Sequence, residues 1–420
     1  MQRREFLQSA LGGLGGLVVL ASCGGTNSAS QSGPVKLSLA NDKPSSAAQI
    51  NDLGKFMFDK YKYGIQSQPY QDTSIYQGVI RSAANTPKAP PLFTWWSGFQ
   101  LQDLVRAGSV ADLTPQVQKW IKDVGLGEDI QKAFQVNGKY YAVPFNVAYW
   151  VIFYNKKVFS QYGLQAPTAW QDFITICDTL KGHGVTPIGE WAAPSWTGFI
   201  WFENILINTD PDLYENLMLG KAKYTDPGVV KAMQLLKDMH TKGYLKTLNA
   251  NDPPTDFVQG KQAMQLVGQW WEPTVIQAGM KPGTDFDAFI MPAITSGLQP
   301  QLIFEAGPIV VSEHSASKQQ ALQVLETYMR NDVQKKWVEL TNFVSGESSV
   351  PPGNDVNTHV ATLIKDQKPT LHNRYWEATP PQIAVSASEA LIQALLHPET
   401  YMQVLQNCQS IADQYWSSQK

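Results

Sequence analysis

The sequence predicts an α/β protein built around two hydrophobic cores. From Val35 onward, short apolar runs typical of strands alternate with amphipathic stretches typical of helices. The chain has 420 residues, and the roughly 400 that follow its N-terminal leader exceed what one core usually serves. We therefore expect two α/β units rather than a single enlarged domain.

The first 22 residues are predicted to be an export signal. Arg3-Arg4 followed by Phe6-Leu7 is typical of a twin-arginine signal, and residues 11–20 form a short apolar run rich in glycine. The alternative is an uncleaved membrane span, but the run has only about half of the ~20 residues that a span needs.

The end of this leader predicts a lipid anchor. Leu20-Ala21-Ser22-Cys23 resembles the lipobox of bacterial lipoproteins, in which the chain is cut before a cysteine that then receives lipid. We expect residues 1–22 to be removed and Cys23 to be lipidated. Residues 23–34 are small and polar, which predicts a flexible tether.

The charge balance argues against a nucleic-acid partner. The chain has 33 Lys plus Arg and 36 Asp plus Glu, and removal of the leader leaves 31 against 35. A mildly acidic surface with no Lys/Arg-rich tract does not attract a phosphate backbone. Charged residues make up only 16% of the chain while 13 residues are Trp, so some of these rings are candidates for lining a site.

The N-terminal half begins with strand and helix patterns in alternation. Residues 35–40 and 92–96 are strand-like, and residues 46–62 predict a helix with Ile50 and Met57 on its buried face. A further helix is predicted near residues 101–107.

The middle of the chain continues this pattern. Residues 139–143 and 149–154 predict two strands separated by Pro144-Phe145-Asn146. Thr168, with Gln171 three positions later, predicts a capping box at the start of a helix. Asp226-Pro227 predicts the start of another helix, which ends near residue 243.

The C-terminal part is predicted to be mainly helical. Residues 263–270, 286–291 and 308–312 are strand-like, and helices are expected after residue 317. Cys177 and Cys408 each lie in an apolar helical stripe, which favours two buried free thiols, with a disulfide as the alternative.

The motifs of common enzyme and metal sites are absent from the sequence. It has no G-x-S-x-G, H-E-x-x-H, C-x-x-C or P-loop pattern, and its six histidines lack metal-ligand spacing. We therefore expect no metal, no cofactor and no catalytic residues. The paired carboxylates of a glycosidase can lie far apart in sequence, so an anchored glycoside-cleaving enzyme stays open as an alternative.

Several runs of sequence share the order and spacing of one known family. They are residues 137–144, 153–159, 163–173, 257–270, 308–312 with 317–328, and 379–384. Together they resemble family 1 extracellular solute-binding proteins, the carbohydrate receptors of ABC importers, to which maltose-binding protein is related. The resemblance implies two α/β lobes with a hinge and a ligand cleft between them.

The resemblance also implies where the chain passes between the lobes. Crossings are expected near residues 144–148, near Glu305 and near residues 345–351. Lobe 1 would then comprise residues 35–145 with 306–345 returning to it. Lobe 2 would comprise residues 146–304 with 346–420 returning to it.

A sugar receptor needs aromatic plates for the apolar face of the ring and planar polar side chains for the hydroxyl edges. In open α/β sheets these groups lie beyond the carboxyl ends of strands. The candidates at such places are Asn41, Asp42, Trp95, Trp96, Asn146, Trp150, Glu190, Trp191, Trp196, Trp270, Trp271, Glu272, Glu305, Arg374 and Trp376.

Several candidates have an alternative role. Core packing is the alternative for Trp95, Trp96, Trp150 and Trp270, a surface loop for Trp376, a turn or helix cap for Asn41-Asp42, and a hinge role for Glu305. Trp376 is the preferred stacking plate of the C-terminal portion, and Glu190 is expected in a loop that follows a strand.

The sequence therefore predicts an exported, lipid-anchored receptor that captures a mono- or oligosaccharide and delivers it to ABC permease subunits. We expect a monomer at the outer face of the bacterial cytoplasmic membrane, in contact with that membrane through the lipid only. The second alternative is a binding protein for another solute, such as a polyol, a sugar phosphate or a peptide.

Overall fold

Strands and helices alternate along residues 33–419, which are the residues described by this computed structural model. The predicted leader and Cys23 lie outside them. The strands are β1 (Val35–Asn41), β2 (Tyr63–Pro69), β3 (Leu92–Thr94), β4 (Gln135–Val136), β5 (Lys139–Tyr140), β6 (Val143–Asn155), β7 (Thr186–Ala193), β8 (Leu245–Asn249), β9 (Gln262–Gly268), β10 (Phe286–Phe289), β11 (Gln301–Val311) and β12 (Thr370–Asn373).

The helices cover most of the remaining chain. They are α1 (Ala47–Tyr61), α2 (Thr73–Ala83), α3 (Gly98–Arg106), α4 (Thr114–Val124), α5 (Glu128–Ala133), α6 (Lys156–Gln161), α7 (Trp170–Gly182), α8 (Ile200–Thr209), α9 (Pro211–Met218), α10 (Pro227–Thr241), α11 (Thr255–Val258), α12 (Glu272–Gln277), α13 (Lys318–Tyr328), α14 (Asn331–Thr341), α15 (Asp355–Gln367), α16 (Tyr375–Ala378), α17 (Pro381–Leu396) and α18 (Tyr401–Ser417). Short 3-10 turns lie at Pro44–Ser46, Ser195–Phe199, Gln269–Trp271 and Pro398–Thr400.

Two long strands, β6 and β11, link the two halves of the sheet. The strand order is β2-β1-β3-β11-β6-β9-β7-β8, with β10 paired to β6 and β12 paired to β11. On one side β1 runs parallel to β2 and β3, and on the other β7 runs parallel to β8 and β9. The central contacts of β11 with β3 and β6, and of β6 with β9, are antiparallel. The sheet thus has two parallel wings joined by a shared antiparallel centre.

Strand β6 changes partners along its length. Its first half, from Val143 to Tyr149, pairs with β11, while Trp150 to Tyr154 pair with β9. The separation into two strands around Pro144 was therefore wrong, since one strand passes through this residue. Pro144 lacks an N–H, and it lies opposite Pro308 where the register between β6 and β11 shifts, so no regular ladder bond is lost there.

Several other sequence-predicted elements are confirmed, with small shifts of their ends. Helix α10 begins at Pro227 directly after Asp226, as expected. The predicted capping box at Thr168 was wrong, because α7 begins at Trp170 and Thr168 instead donates a hydrogen bond to Asp172. Strand β7 continues through Ala193, so Glu190 lies within a strand and not in a loop.

Both remaining cysteines are free. Cys177 and Cys408 are fully buried on α7 and α18, which confirms the prediction of unpaired thiols. Burial raises the pKa of both thiols, to about 12 for Cys408, so both stay protonated at neutral pH. Within residues 33–419, no helix has both the length and the apolar character that crossing a membrane would require.

Candidate ligand-binding site

Aromatic side chains from six separate elements meet where β6 and β11 join the wings of the sheet. This aromatic cluster consists of Trp96, Trp150, Trp191, Trp196, Phe199, Trp270 and Trp376. Most members follow the end of a strand, which is where the sequence predicted a site. Trp150 and Trp191 instead lie within β6 and β7, and Phe199 ends a 3-10 turn.

Ring distances show that the cluster is continuous. The Trp270 ring centre lies 6.0 Å from Trp191, 6.0 Å from Trp196 and 6.1 Å from Trp150. Trp376 lies 6.3 Å from Phe199, and on its other side it contacts Trp96 at 6.4 Å. Residues from both wings of the sheet therefore contribute to one aromatic cluster, in which Trp196 and Trp270 are half-buried and the other five rings are buried.

Three charged side chains, Arg374, Glu305 and Glu377, lie next to the aromatic cluster. Arg374 donates from Nη1 to Glu305 at 3.0 Å and from Nε to Glu377 at 2.9 Å. All three side chains are less than 10% exposed. The guanidinium is therefore shared between two carboxylates and is not free to bind an anionic ligand.

Burial and neighbouring charges act in opposite directions on the pKa values in this group. Burial alone would lower the pKa of Arg374, but Glu305 and Glu377 outweigh it and raise the pKa above its ordinary value. Burial raises the pKa of Glu377 to about 7, although Arg374 opposes this shift. The cluster thus contains no uncompensated positive charge at neutral pH.

Glu305 connects the charged group to the aromatic cluster. Its Oε2 accepts a hydrogen bond from Trp270 Nε1 at 3.0 Å and a longer one from Trp150 Nε1 at 3.4 Å. It lies on β11, one of the two strands that link the wings. The same atom accepts the bond from Arg374, so three donors converge on a single oxygen.

The candidates at the end of β1 bond to the neighbouring strand and to the turn that follows. Asn41 donates to Leu39 O at 2.9 Å and to Ser67 Oγ at 3.0 Å. Asp42 pairs with Lys43 at 3.3 Å. Asn41 Oδ1 also accepts from the backbone N–H of Lys43 at 3.1 Å, so this residue serves both a turn and the contact between β1 and β2.

Trp95 and Asn146 border the aromatic cluster without belonging to it. Trp95 lies 5.0 Å from Trp96, and its indole donates to Gln100 O at 3.1 Å, which fixes it under α3. Asn146 lies on β6 opposite Gly307, and its buried Oδ1 has no hydrogen-bond partner among the described residues.

Three other candidates point away from the cluster. Glu190 is fully buried, and its Oε2 lies 2.9 Å from His240 Nε2 of α10, close enough for an ion pair although not in hydrogen-bond geometry. Burial raises the pKa of Glu190, and His240 opposes the shift. The prediction that Glu190 lies in a cleft loop is corrected, because alternation along β7 turns its side chain toward α10 while Trp191 faces the cluster.

Trp271 and Glu272 are the other two candidates that point away from the aromatic cluster. Trp271 packs against Phe153 and Phe257 at 5.5 and 5.2 Å, although it also touches Trp191. Glu272 is fully buried and accepts a hydrogen bond from Asn354 at 2.8 Å. Both therefore belong to the packing behind Trp270.

Three residues of the site were not among the sequence candidates. Phe199 stacks on Tyr375 at 5.4 Å and borders Trp376, and Glu377 binds Arg374. Glu203 of α8 is fully buried and accepts from the backbone N of Tyr375 at 2.6 Å, which positions the segment that carries Arg374. The i, i+3 spacing of Arg374 and Glu377 was the one available signal for Glu377.

Nothing in the described residues suggests a metal centre. No group of three or more His, Cys, Asp or Glu side chains in residues 33–419 could hold a metal ion. The arrangement instead offers aromatic faces and carboxylate oxygens, which suits a ligand with apolar faces and hydroxyl edges.

A family model described as bacterial extracellular solute-binding protein matches residues 53–363. The chain belongs to this family. Its members are binding proteins and not enzymes, which removes the glycoside-cleaving alternative. The resemblance drawn from the sequence is thereby confirmed.

Individual relatives agree with this assignment. An uncharacterized ABC transporter extracellular-binding protein of Pyrococcus horikoshii is 29% identical over 223 residues, which cover 51% of this chain and 50% of the relative. A "Probable sugar-binding periplasmic protein" of Rhizobium meliloti is 24% identical over 286 residues, covering 66% of this chain and 64% of the relative. This chain therefore spans less than two thirds of either relative.

The fold is also that of solved solute-binding proteins. A chitin oligosaccharide binding protein superposes with a TM-score of 0.78 at 20% identity, over 90% of this chain and 98% of that one. The predicted two-lobe α/β fold class is confirmed by this likeness.

Proposed function

We propose that this solute-binding protein captures a neutral carbohydrate on the aromatic cluster and delivers it to an ABC importer. The observation that carries the proposal is the continuous cluster of six tryptophans and Phe199 beside buried carboxylates, with Trp196 and Trp270 as its half-buried members. Indole faces pack against the C–H face of a sugar, and carboxylate oxygens accept hydrogen bonds from its hydroxyls. The names of the sugar-binding relatives support the same ligand class.

The charge of the site favours an uncharged ligand over a sugar phosphate. A phosphate is usually bound by arginine, lysine or a helix N-terminus. Arg374 is already paired with Glu305 and Glu377, so a phosphate brought next to it would meet two carboxylates as well.

The proposed mechanism is closure of two lobes around the sugar. The lobes are residues 35–145 with 306–345, and residues 146–304 with 346–420. Because Trp96 belongs to the first and Trp376 to the second, and the two rings meet, a ligand that touches both gains contacts in the closed form that the open form lacks. The closed form is then the form that the permease recognises.

The proposed location follows from the leader sequence. Export through a twin-arginine signal and lipidation of Cys23 would hold a monomer at the outer face of the cytoplasmic membrane, with residues 23–34 as tether. Palmitate labelling of the expressed protein should depend on Cys23. A Cys23→Ala protein that is labelled as strongly as the wild type would contradict this part of the proposal.

A thermal-shift screen of the mature protein tests the ligand class. The panel is glucose, galactose, maltose, raffinose and di-N-acetylchitobiose, with glycerol 3-phosphate as the anionic control. A sugar present at a hundred times its dissociation constant should stabilise the fold by about 2.7 kcal/mol. A shift with glycerol 3-phosphate and none with any neutral sugar would overturn the carbohydrate assignment.

A further inference from the structure

Glu305 collects hydrogen-bond donors from three elements that are distant in sequence. Its Oε2 accepts from Trp150 of β6, from Trp270 after β9 and from Arg374 after β12, at 3.4, 3.0 and 3.0 Å. The Glu305 side chain is 9% exposed, so these bonds lie largely away from water. Charge-assisted hydrogen bonds in such a setting are stronger than bonds between neutral groups.

These bonds set the orientation of two aromatic plates. An indole has one N–H, so a bond from that N–H to a fixed acceptor limits the rotation of the ring about its side-chain torsions. The rings of Trp150 and Trp270 stand at 76° to each other with centres 6.1 Å apart. Glu305 thus holds the two rings close to perpendicular and not in a parallel stack.

The second oxygen of Glu305 has no such partner. No donor on residues 33–419 forms a hydrogen bond with Oε1, whereas Oε2 accepts three. A carboxylate oxygen accepts hydrogen bonds and cannot donate them when ionised. Oε1 therefore suits a hydroxyl donor and repels a ligand carboxylate or phosphate.

Arg374 completes the arrangement without facing a ligand. It is 6% exposed, and its guanidinium lies 5.7 Å from the centre of the Trp150 ring. Two of its nitrogens bind Glu377, so Glu305 receives only Nη1. Arg374 compensates the charge of Glu305 and is held in place from the other side.

We propose that Glu305 is a positioning and specificity-determining residue, which fixes Trp150 and Trp270 through Oε2 and offers Oε1 to a hydroxyl of an uncharged ligand. The second half of this statement rests on the proposed function, while the first half concerns the protein without ligand. The two halves can be tested separately.

The positioning role is tested on ligand-free protein labelled with 5-fluorotryptophan. The fluorine resonances of Trp150 and Trp270 are assigned from Trp150→Phe and Trp270→Phe proteins, and then followed in Glu305→Gln and Glu305→Ala. We expect both resonances to move in both variants. Glu190→Gln is the matched control, since Glu190 is also buried and lies beside one basic residue but forms no hydrogen bond with either indole.

The outcomes separate a positioning role from a general structural one. Unchanged resonances of Trp150 and Trp270 in the folded Glu305 variants would overturn the positioning role, as would equal changes in Glu190→Gln. If Glu305→Ala fails to fold, Glu305→Gln carries the test, because it keeps the shape of the side chain and leaves the Arg374–Glu377 pair intact.

The specificity role is tested with whichever sugar of the panel gives the largest thermal shift. Loss of a hydrogen bond to a charged group should weaken the binding of that sugar by about 10- to 100-fold in Glu305→Ala. Glu190→Gln should bind it as the wild type does. Wild-type affinity in Glu305→Ala would overturn the specificity role. Failure of the wild type to bind any sugar would overturn the proposed function instead, while the fluorine resonances would still decide the positioning role.

Discussion

Two groups of aromatic rings in this protein look alike in sequence but differ in what their indoles contact. Trp337 is 1% exposed, packs against Phe145 and Phe343 at 5.0 and 5.7 Å, and donates to the backbone oxygen of Phe145 at 2.8 Å. Trp270 is only partly buried and donates to the carboxylate of Glu305. An indole bonded to backbone inside a neutral core serves packing. Trp270, half-buried and bonded to a side-chain carboxylate after a strand end, is the ring that we propose meets a ligand.

The largest expected effect concerns Trp337, the tryptophan that packs in the core. Trp337→Ala should lower the free energy of unfolding by about 3–5 kcal/mol, because it removes a fully buried ring and leaves a cavity. Urea unfolding followed by circular dichroism measures this. A loss under about 1 kcal/mol would mean that Trp337 does not serve the core in the way its contacts indicate.

Glu272 is a buried carboxylate bonded to a neutral side chain, whereas Glu305 is bonded to Arg374. The hydrogen bond to Glu272 comes from the neutral Asn354, and burial raises the pKa of Glu272 to about 8. The folded state therefore binds this proton more tightly than the unfolded state does. The resulting stability is fully present below about pH 4.5 and is lost as the pH rises toward 8.

Glu272→Gln should remove this pH dependence. The variant should be more stable than the wild type at about pH 9, by on the order of 2–4 kcal/mol, and similar to it at about pH 4.5. Urea unfolding across this pH range measures the difference, with Glu389→Gln on the exposed side of α17 as control. Parallel pH profiles of the wild type and Glu272→Gln would contradict the expected proton uptake.

Trp270 and Trp271 allow the comparison to be made within one dipeptide. Trp270→Ala should raise the dissociation constant of a bound sugar by about 10- to 100-fold and cost less stability than Trp337→Ala. Trp271→Ala should do the reverse, because Trp271 packs against Phe153 and Phe257. Titration calorimetry together with urea unfolding of both variants measures this. If the two variants lost sugar affinity and stability in the same proportion, the distinction between a ligand-contacting Trp270 and a packing Trp271 would be contradicted.

The smallest expected effect concerns the contact between α3 and α16. Gly98 has a φ of 59°, and a Cβ at this position would lie 2.2 Å from the backbone oxygen of Glu377. Gly98→Ala should therefore keep the two helices apart and weaken sugar binding by about 5- to 10-fold, or 1–1.4 kcal/mol. Small-angle scattering of the sugar-saturated variant should show a larger radius of gyration than that of the wild type.

Gly108→Ala is the matched control for this change. Gly108 has a similar φ of 67°, but a Cβ there would meet no atom within 4 Å. Both variants carry the cost of a left-handed alanine, about 1–2 kcal/mol, and only Gly98→Ala adds the steric contact. Equal binding by the two variants would exclude a role of this contact in closure.

Much of the fold could be predicted because its local signals agree with the tertiary structure. Asp226-Pro227 starts α10 as its sequence indicates, and β1 differs from its predicted range by one residue. Thr168 failed as a signal because its hydroxyl bonds to a side chain of the same turn and not to the helix backbone. Pro144 failed because its effect on a strand depends on the register of the partner strand.

The aromatic cluster was predictable in composition but not in arrangement. The tryptophans at strand ends could be found from their positions, since strand ends converge in an α/β sheet. Which of Trp270 and Trp271 faces the cluster depends on the 3-10 turn that carries them. The role of Glu305 depends on three donors spread over more than two hundred positions, and no local pattern carries that information.

The most direct test of the proposed function is a crystal structure of the mature protein with the best-binding neutral sugar. We predict that the sugar ring lies against Trp270 and Trp376, with one hydroxyl within hydrogen-bond distance of Glu305 Oε1. Sugar bound elsewhere on the protein, with the aromatic cluster unchanged and unliganded, would contradict the account.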